Sequence, residues 1–152
     1  MVYRYRMELD DHKMPTLVRE AGYGGATLAT PEELAVFLNQ NEHLGSRAEE
    51  HFYAVALDTR LHALGVFEVS HGTVDYSTAN PREVFIRLLL AGAVRFALAH
   101  NHPSGDCTPS EPDVKVTKLF SDAGKLMRLP LVDHIILGKN GAYCSMHEQG
   151  LM

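Results

Sequence analysis

Apolar and polar residues alternate through Val2-Tyr3-Arg4-Tyr5-Arg6-Met7-Glu8-Leu9, which predicts a short strand with one wet face. Tyr23-Gly24-Gly25 then marks a loop, and residues 1–29 read as an arm ahead of a main domain over 30–152. The period next becomes helical. Thr30 is placed to cap a helix, Pro31 suits its first position, Glu33 completes a capping box, and Leu34, Phe37 and Leu38 share one face. Two strand-like runs, 52–57 and 64–69, flank the short Asp58-Thr59-Arg60 and predict an antiparallel hairpin. Asn80-Pro81 opens a second helix with Val84, Phe85, Leu88 and Leu89 at helical spacing. From Val94 an apolar strand runs to Ala99 and ends in His100-Asn101-His102. Pro103, Gly105 and Pro109 punctuate a loop before a third helix, whose expected buried face is Leu119, Phe120, Ala123, Leu126 and Met127. Runs 131–137 and 142–146 read as closing strands. Strands alternating with helices predict an α/β (α+β) fold, a single layered domain with a mixed central sheet flanked by helices.

Composition narrows the function classes. The chain has 152 residues, enough to bury a sizeable core, with 45% hydrophobic and 22% charged residues, a globular balance. Fourteen Lys and Arg against nineteen Asp and Glu give a net charge of −5, which argues against a broad nucleic-acid surface. No apolar stretch approaches the roughly 20 residues that span a bilayer, and the first residues do not resemble a signal peptide. A cytoplasmic location without membrane contact is the expectation. Cys107 and Cys144 form no CxxC pair, so no disulfide framework or thiolate zinc knuckle is predicted, and Cys107 reads as a loop residue open to oxidation.

The chemistry concentrates in residues 100–113. His100 and His102 stand at i and i+2 at a strand end, so both imidazoles project from one face and form a two-nitrogen chelate. The Pro- and Gly-rich loop folds back to present Asp113 from the next helix. Two nitrogens and one carboxylate, with a position left for water, match a catalytic zinc site better than a closed structural one. The plain alternative is a solvated strand terminus followed by helix-start residues, because Ser110 and Asp113 also have capping-box spacing. Spacing alone leaves the metal and no-metal readings even, and the two are compatible. Consecutive His-Asn-His cannot build the nuclease site of that name, whose residues lie far apart in sequence.

His-x-His, seven residues, Ser, two residues and Asp, met here by His100, His102, Ser110 and Asp113, resembles the signature of the JAMM (MPN-domain) metalloproteases. With Pro81-Arg82-Glu83-Val84 upstream and Asp133-His134 downstream, residues 30–152 resemble the RadC-like branch of that family. The resemblance implies an MPN-like domain related to the cytidine-deaminase-like architecture. It implies zinc (Zn2+) held by His100, His102 and Asp113, and Ser110 as an oxyanion stabiliser. It also implies a glutamate as general acid and base at the start of the first core strand. That glutamate is assigned to Glu50, with Glu49 as runner-up, since adjacent strand residues face opposite ways. The implied activity is hydrolysis of a peptide or isopeptide bond in an unidentified peptide or protein substrate. A non-catalytic MPN-type interaction or scaffold module is the alternative. Longer RadC-like chains carry an N-terminal helix-hairpin-helix region for which the first thirty residues are too short, so a nucleic-acid partner and a DNA-repair role gain no support here.

Asp133-His134 reads as a hydrogen-bonded polar pair inside the sheet, with orientation of a metal ligand as the alternative. His12, His43, His62, His71 and His147 are expected at the solvent surface, and Phe52, Phe67, Phe85, Phe96 and Phe120 in the core.

Overall fold

The elements run β1 (Val2–Leu9), β2 (Pro15–Tyr23), α1 (Pro31–Glu42), β3 (Glu50–Leu57), β4 (Ala63–Gly72), α2 (Pro81–Leu90), β5 (Arg95–Asn101), α3 (Glu111–Leu126), β6 (Leu131–Leu137) and β7 (Tyr143–Ser145). They are taken from a computed structural model in which residues 1–72 and 79–152 are described. Among these residues the strands form one seven-stranded mixed sheet in the order β2-β1-β4-β3-β5-β6-β7. β5 and β6 pair in parallel across the α3 crossover, whereas β3 pairs antiparallel with both β4 and β5.

Side-chain alternation divides the core between the two faces of the sheet. On one face Tyr53, Val55, Leu57, Ala97, Ala99, Ile135 and Leu137 pack under α1, which contributes Leu34, Phe37 and Leu38. On the other, Phe52, Ala54, Ala56, Phe96 and Leu98 meet Val84, Phe85 and Leu88 of α2 and Val116 and Phe120 of α3. The Thr30–Glu33 capping box forms as its sequence predicts, and the five phenylalanines expected inside are buried.

Three expectations need correction. Pro15–Tyr23 is a second strand that the sequence pattern did not predict; it pairs along the whole of β1, and β1 pairs in parallel with β4, so the arm extends the sheet. Buried Glu42 at the end of α1 anchors this extension through Arg4 Nη1 (3.0 Å), Tyr53 Oη (3.0 Å) and the Tyr23 hydroxyl. Leu89, expected inside, is 52% exposed. The face of α3 is also rotated from the apolar reading. Leu119, Leu126 and Met127 are exposed, Ala123 is half-buried, and Asp113, Val116, Thr117, Phe120, Ser121 and Gly124 are buried. The cause is close approach. A Cβ on Gly124 would lie 2.5 Å from the Leu129 carbonyl oxygen in the turn after α3 and 3.1 Å from the Phe96 ring of β5, so only glycine lets the helix approach the sheet at this point.

Candidate metal centre

The α2- and α3-covered face carries the site at the C-terminal end of β5. Phe96, Leu98 and His100 alternate onto that face, and the β3–β5 register sets Phe52 opposite His100. Glu50, two residues from Phe52, therefore faces the same end of the sheet, whereas Glu49 is exposed. Ser110 caps α3 by accepting from the Asp113 backbone N–H at 3.2 Å, and its own N–H donates to Asp113 Oδ2 at 2.8 Å. That capping box fixes the Asp113 carboxylate against the strand end. The capping role of Ser110 and Asp113 and their place beside the histidines thus coexist.

The donor atoms converge closely. His100 Nε2 and His102 Nε2 are 3.1 Å apart, and Asp113 Oδ1 and Oδ2 lie 3.1 and 3.2 Å from them. Glu50, His100 and His102 also have donor atoms within 4.8 Å of one another. Glu50 Oε1 stands further back, 3.8 Å from His100 Nε2, and is a buried oxygen without a hydrogen-bond partner among the described residues. Asp113 is thus the nearer carboxylate and Glu50 the one set back.

Hydrogen bonds behind the histidines decide which ring atoms face the cluster. The Thr117 hydroxyl donates its proton to the Asp113 carbonyl at 2.6 Å, so at the 2.7 Å contact with His134 Nδ1 it can only accept. Burial holds His134 well below the usual histidine range, so its ring is neutral and, with Nδ1 protonated, Nε2 is an acceptor. Across 2.8 Å, His100 Nδ1 must then donate, and the lone pair of His100 falls on Nε2. His102 Nδ1 donates to the Asp106 carbonyl at 2.8 Å, which leaves its lone pair on Nε2 as well. Two lone pairs therefore point into one 3.1 Å gap beside a carboxylate, an arrangement that calls for a cation.

Electrostatics agree. Although burial pushes Asp113 upward, contact with the two imidazole edges, whose Nε2 protons in the metal-free chain a bound cation would replace, outweighs it and holds the carboxyl far below the usual range. The Asp113 hydrogen bond raises His102, and burial raises Glu50. The donor set of two imidazole nitrogens and one ionised carboxylate, with an orphaned carboxylate oxygen nearby, fits a divalent cation of the zinc type.

Asp133 and His134, adjacent in sequence, take separate roles in the structure. Asp133 accepts from the Ser145 hydroxyl at 2.6 Å and from the backbone of His134 and His147, a structural role. His134 orients His100. The apolar pattern does not mark Thr117; its position four residues after Asp113 on α3, one helical turn on, is the signal the sequence carries for it.

The described residues include no helix long and apolar enough to cross a membrane. Residues 28–151 match the family model described as the RadC-like JAB domain. Among similar curated proteins, a UPF0758 protein of Desulfitobacterium hafniense is 37% identical over 81% of this chain and 53% of its own length. One from Clostridium acetobutylicum is 38% identical over 82% of this chain and 53% of its own length. Another, from Thermosynechococcus vestitus, is 43% identical over 67% of this chain and 40% of its own length. The chain spans about half the length of the first two relatives.

Proposed function

The chain belongs to the RadC-like JAB domain family, and from that premise we propose that it is a zinc-dependent hydrolase of the JAMM type, acting on a peptide or isopeptide bond of a peptide or protein substrate. The observation that carries this reading is the 3.1 Å convergence of His100 Nε2 and His102 Nε2 beside the ionised Asp113 carboxylate. These three residues would hold the ion. Zinc bound there supplies Lewis acidity and lowers the pKa of a coordinated water to about 7.

The remaining work falls to the chain's own groups. Glu50, set back from the ligands and raised by burial, takes a proton from water and returns it to the leaving amine. Ser110 Oγ accepts from the Asp113 backbone, so its own proton is free to stabilise the oxygen of a scissile carbonyl. The cytoplasm is the proposed location.

Elemental analysis of wild type and His102→Ala tests the ligands, and a peptide-library cleavage screen with Glu50→Gln tests the chemistry. The expected results are about one zinc per wild-type chain, none in His102→Ala, and cleavage reduced by at least about 100-fold in Glu50→Gln with zinc retained. An empty wild type, or full activity in Glu50→Gln, overturns the reading. A zinc-loaded wild type that cleaves no amide bond assigns the chain to the non-catalytic interaction modules.

A further inference from the structure

Cys107 and Cys144 are 37 positions apart in sequence, yet their Sγ atoms lie 2.8 Å apart. Both are free thiols and both are partly buried. Cys107 sits in the loop between β5 and α3, and Cys144 in β7, opposite Ile136 of β6. The loop is pressed onto the turn after β6. The Lys139 N–H reaches the Gly105 carbonyl at 3.4 Å, and a Cβ on Gly138 would lie 2.4 Å from that same oxygen. The two sulfurs are therefore held together by backbone packing on both sides. Closing the remaining gap to a bonded distance needs a movement of roughly 0.8 Å.

We propose that Cys107 and Cys144 form a reversible redox site, in which a peroxide converts the pair to an intramolecular disulfide that staples the β5–α3 loop to β7. The Cys107 thiolate attacks one peroxide oxygen, giving a sulfenic acid and, for hydrogen peroxide, one water. The Cys144 sulfur then displaces the sulfenic oxygen, which leaves as a second water after taking up the thiol proton. Two thiols lose two electrons in all, and one peroxide is reduced to two waters. Burial and the neighbouring Cys107 thiol push Cys144 up to about 11, which leaves the first attack on peroxide to Cys107.

The staple has a local consequence. Asp106, adjacent to Cys107, carries the carbonyl that accepts from His102 Nδ1. Tethering Cys107 holds that carbonyl, and with it the orientation of the His102 ring. The crosslink does not depend on the hydrolase reading, since it requires neither metal nor substrate.

The test uses the full chain, purified reduced and treated with hydrogen peroxide. Intact mass, differential alkylation and non-reducing peptide mapping locate any crosslink, and hydrogen–deuterium exchange follows residues 103–109. The expected result is a 107–144 crosslink within one chain, with loss of two hydrogens, reversed by dithiothreitol and absent in Cys144→Ser. Amide exchange across 103–109 should slow by about tenfold on oxidation in wild type and stay unchanged in Cys144→Ser. Two thiols that still alkylate separately after peroxide, or a crosslink only between chains, overturn the site. A crosslink that leaves loop exchange unchanged overturns the staple.

Discussion

His134 Nε2 lies 2.8 Å from His100 Nδ1, and this contact determines which nitrogen of His100 faces the candidate metal centre. Behind it stands Thr117, whose hydroxyl is committed to the Asp113 carbonyl and so can only accept from His134. One hydroxyl therefore sets two ring tautomers in succession and also steadies the backbone of a third donor.

Replacing that hydroxyl by a methyl group of similar shape should uncouple the relay without a large loss of packing. Thr117→Val is expected to fold and to lose about 10- to 100-fold in zinc affinity, as measured by competition with a chromophoric chelator. Thr117→Ser keeps the hydroxyl and should retain most of the affinity. A Thr117→Val chain binding zinc as tightly as wild type would remove the tautomer argument.

Proton competition gives a second prediction. His102 must lose a proton before Nε2 can ligate, and its hydrogen bond to Asp113 raises it above the ordinary 6.5. Competition therefore starts above that value, and zinc affinity should fall by about tenfold per pH unit below it. Asp113 stays ionised far below this range and adds no further proton. In the metal-free chain the sign reverses. A raised histidine stabilises the fold fully below its unfolded value, and this contribution is lost as pH rises through the folded one. Thermal melts from pH 6 to 8 should thus show the His102 contribution declining without zinc and the benefit of added zinc growing.

Gly138 offers a steric probe of the loop that carries the histidines. Its φ of −108° suits any residue, but a Cβ there would meet the Gly105 carbonyl oxygen at 2.4 Å and the Cys107 Cβ at 3.5 Å. Backbone must shift to admit it. Gly138→Ala should cost about 1–3 kcal/mol and lower Tm by roughly 2–4 °C for each kcal/mol. Calorimetry checks this, and zinc affinity should fall in the same variant.

Glu42 tests how the N-terminal hairpin is held. Its fully buried carboxylate accepts from Arg4, Tyr23 and Tyr53. Glu42→Ala leaves the buried Tyr53 hydroxyl without this partner, at a cost of roughly 2–4 kcal/mol by denaturant unfolding. Glu42→Gln keeps an acceptor oxygen and should lose less. The candidate metal centre lies on the other face of the sheet, so metal stoichiometry should not change in either variant.

Local sequence was sufficient wherever the determining interaction is itself local. The Thr30–Glu33 and Ser110–Asp113 boxes, and the Asn80 cap, each join residues two or three apart, so spacing alone foretold them. The i, i+2 placement of His100 and His102 is legible for the same reason, because the strand repeat puts both rings on one side. β2 was not legible. Its Pro15–Tyr23 segment is partly exposed at the sheet edge, and its pairing with β1 supplies no strong apolar period to read. The α3 face was misplaced because apolar periodicity carries no information on what the opposite surface requires. Here a close helix–sheet contact and a polar relay required glycine, threonine and aspartate.

The amino-acid order by itself determined the layered fold, the helix starts and the ligand-type residues gathered around one strand end, because backbone period and capping act over a few residues. Tertiary structure alone decided that Glu50 rather than Glu49 lies beside the histidines, and that His134 and Thr117 set the tautomer of His100. It alone also brought Cys107 within 2.8 Å of Cys144. Each of these joins residues from elements far apart in the chain, and only the sheet register and the approach of α3 bring their atoms within hydrogen-bonding or sulfur contact distance.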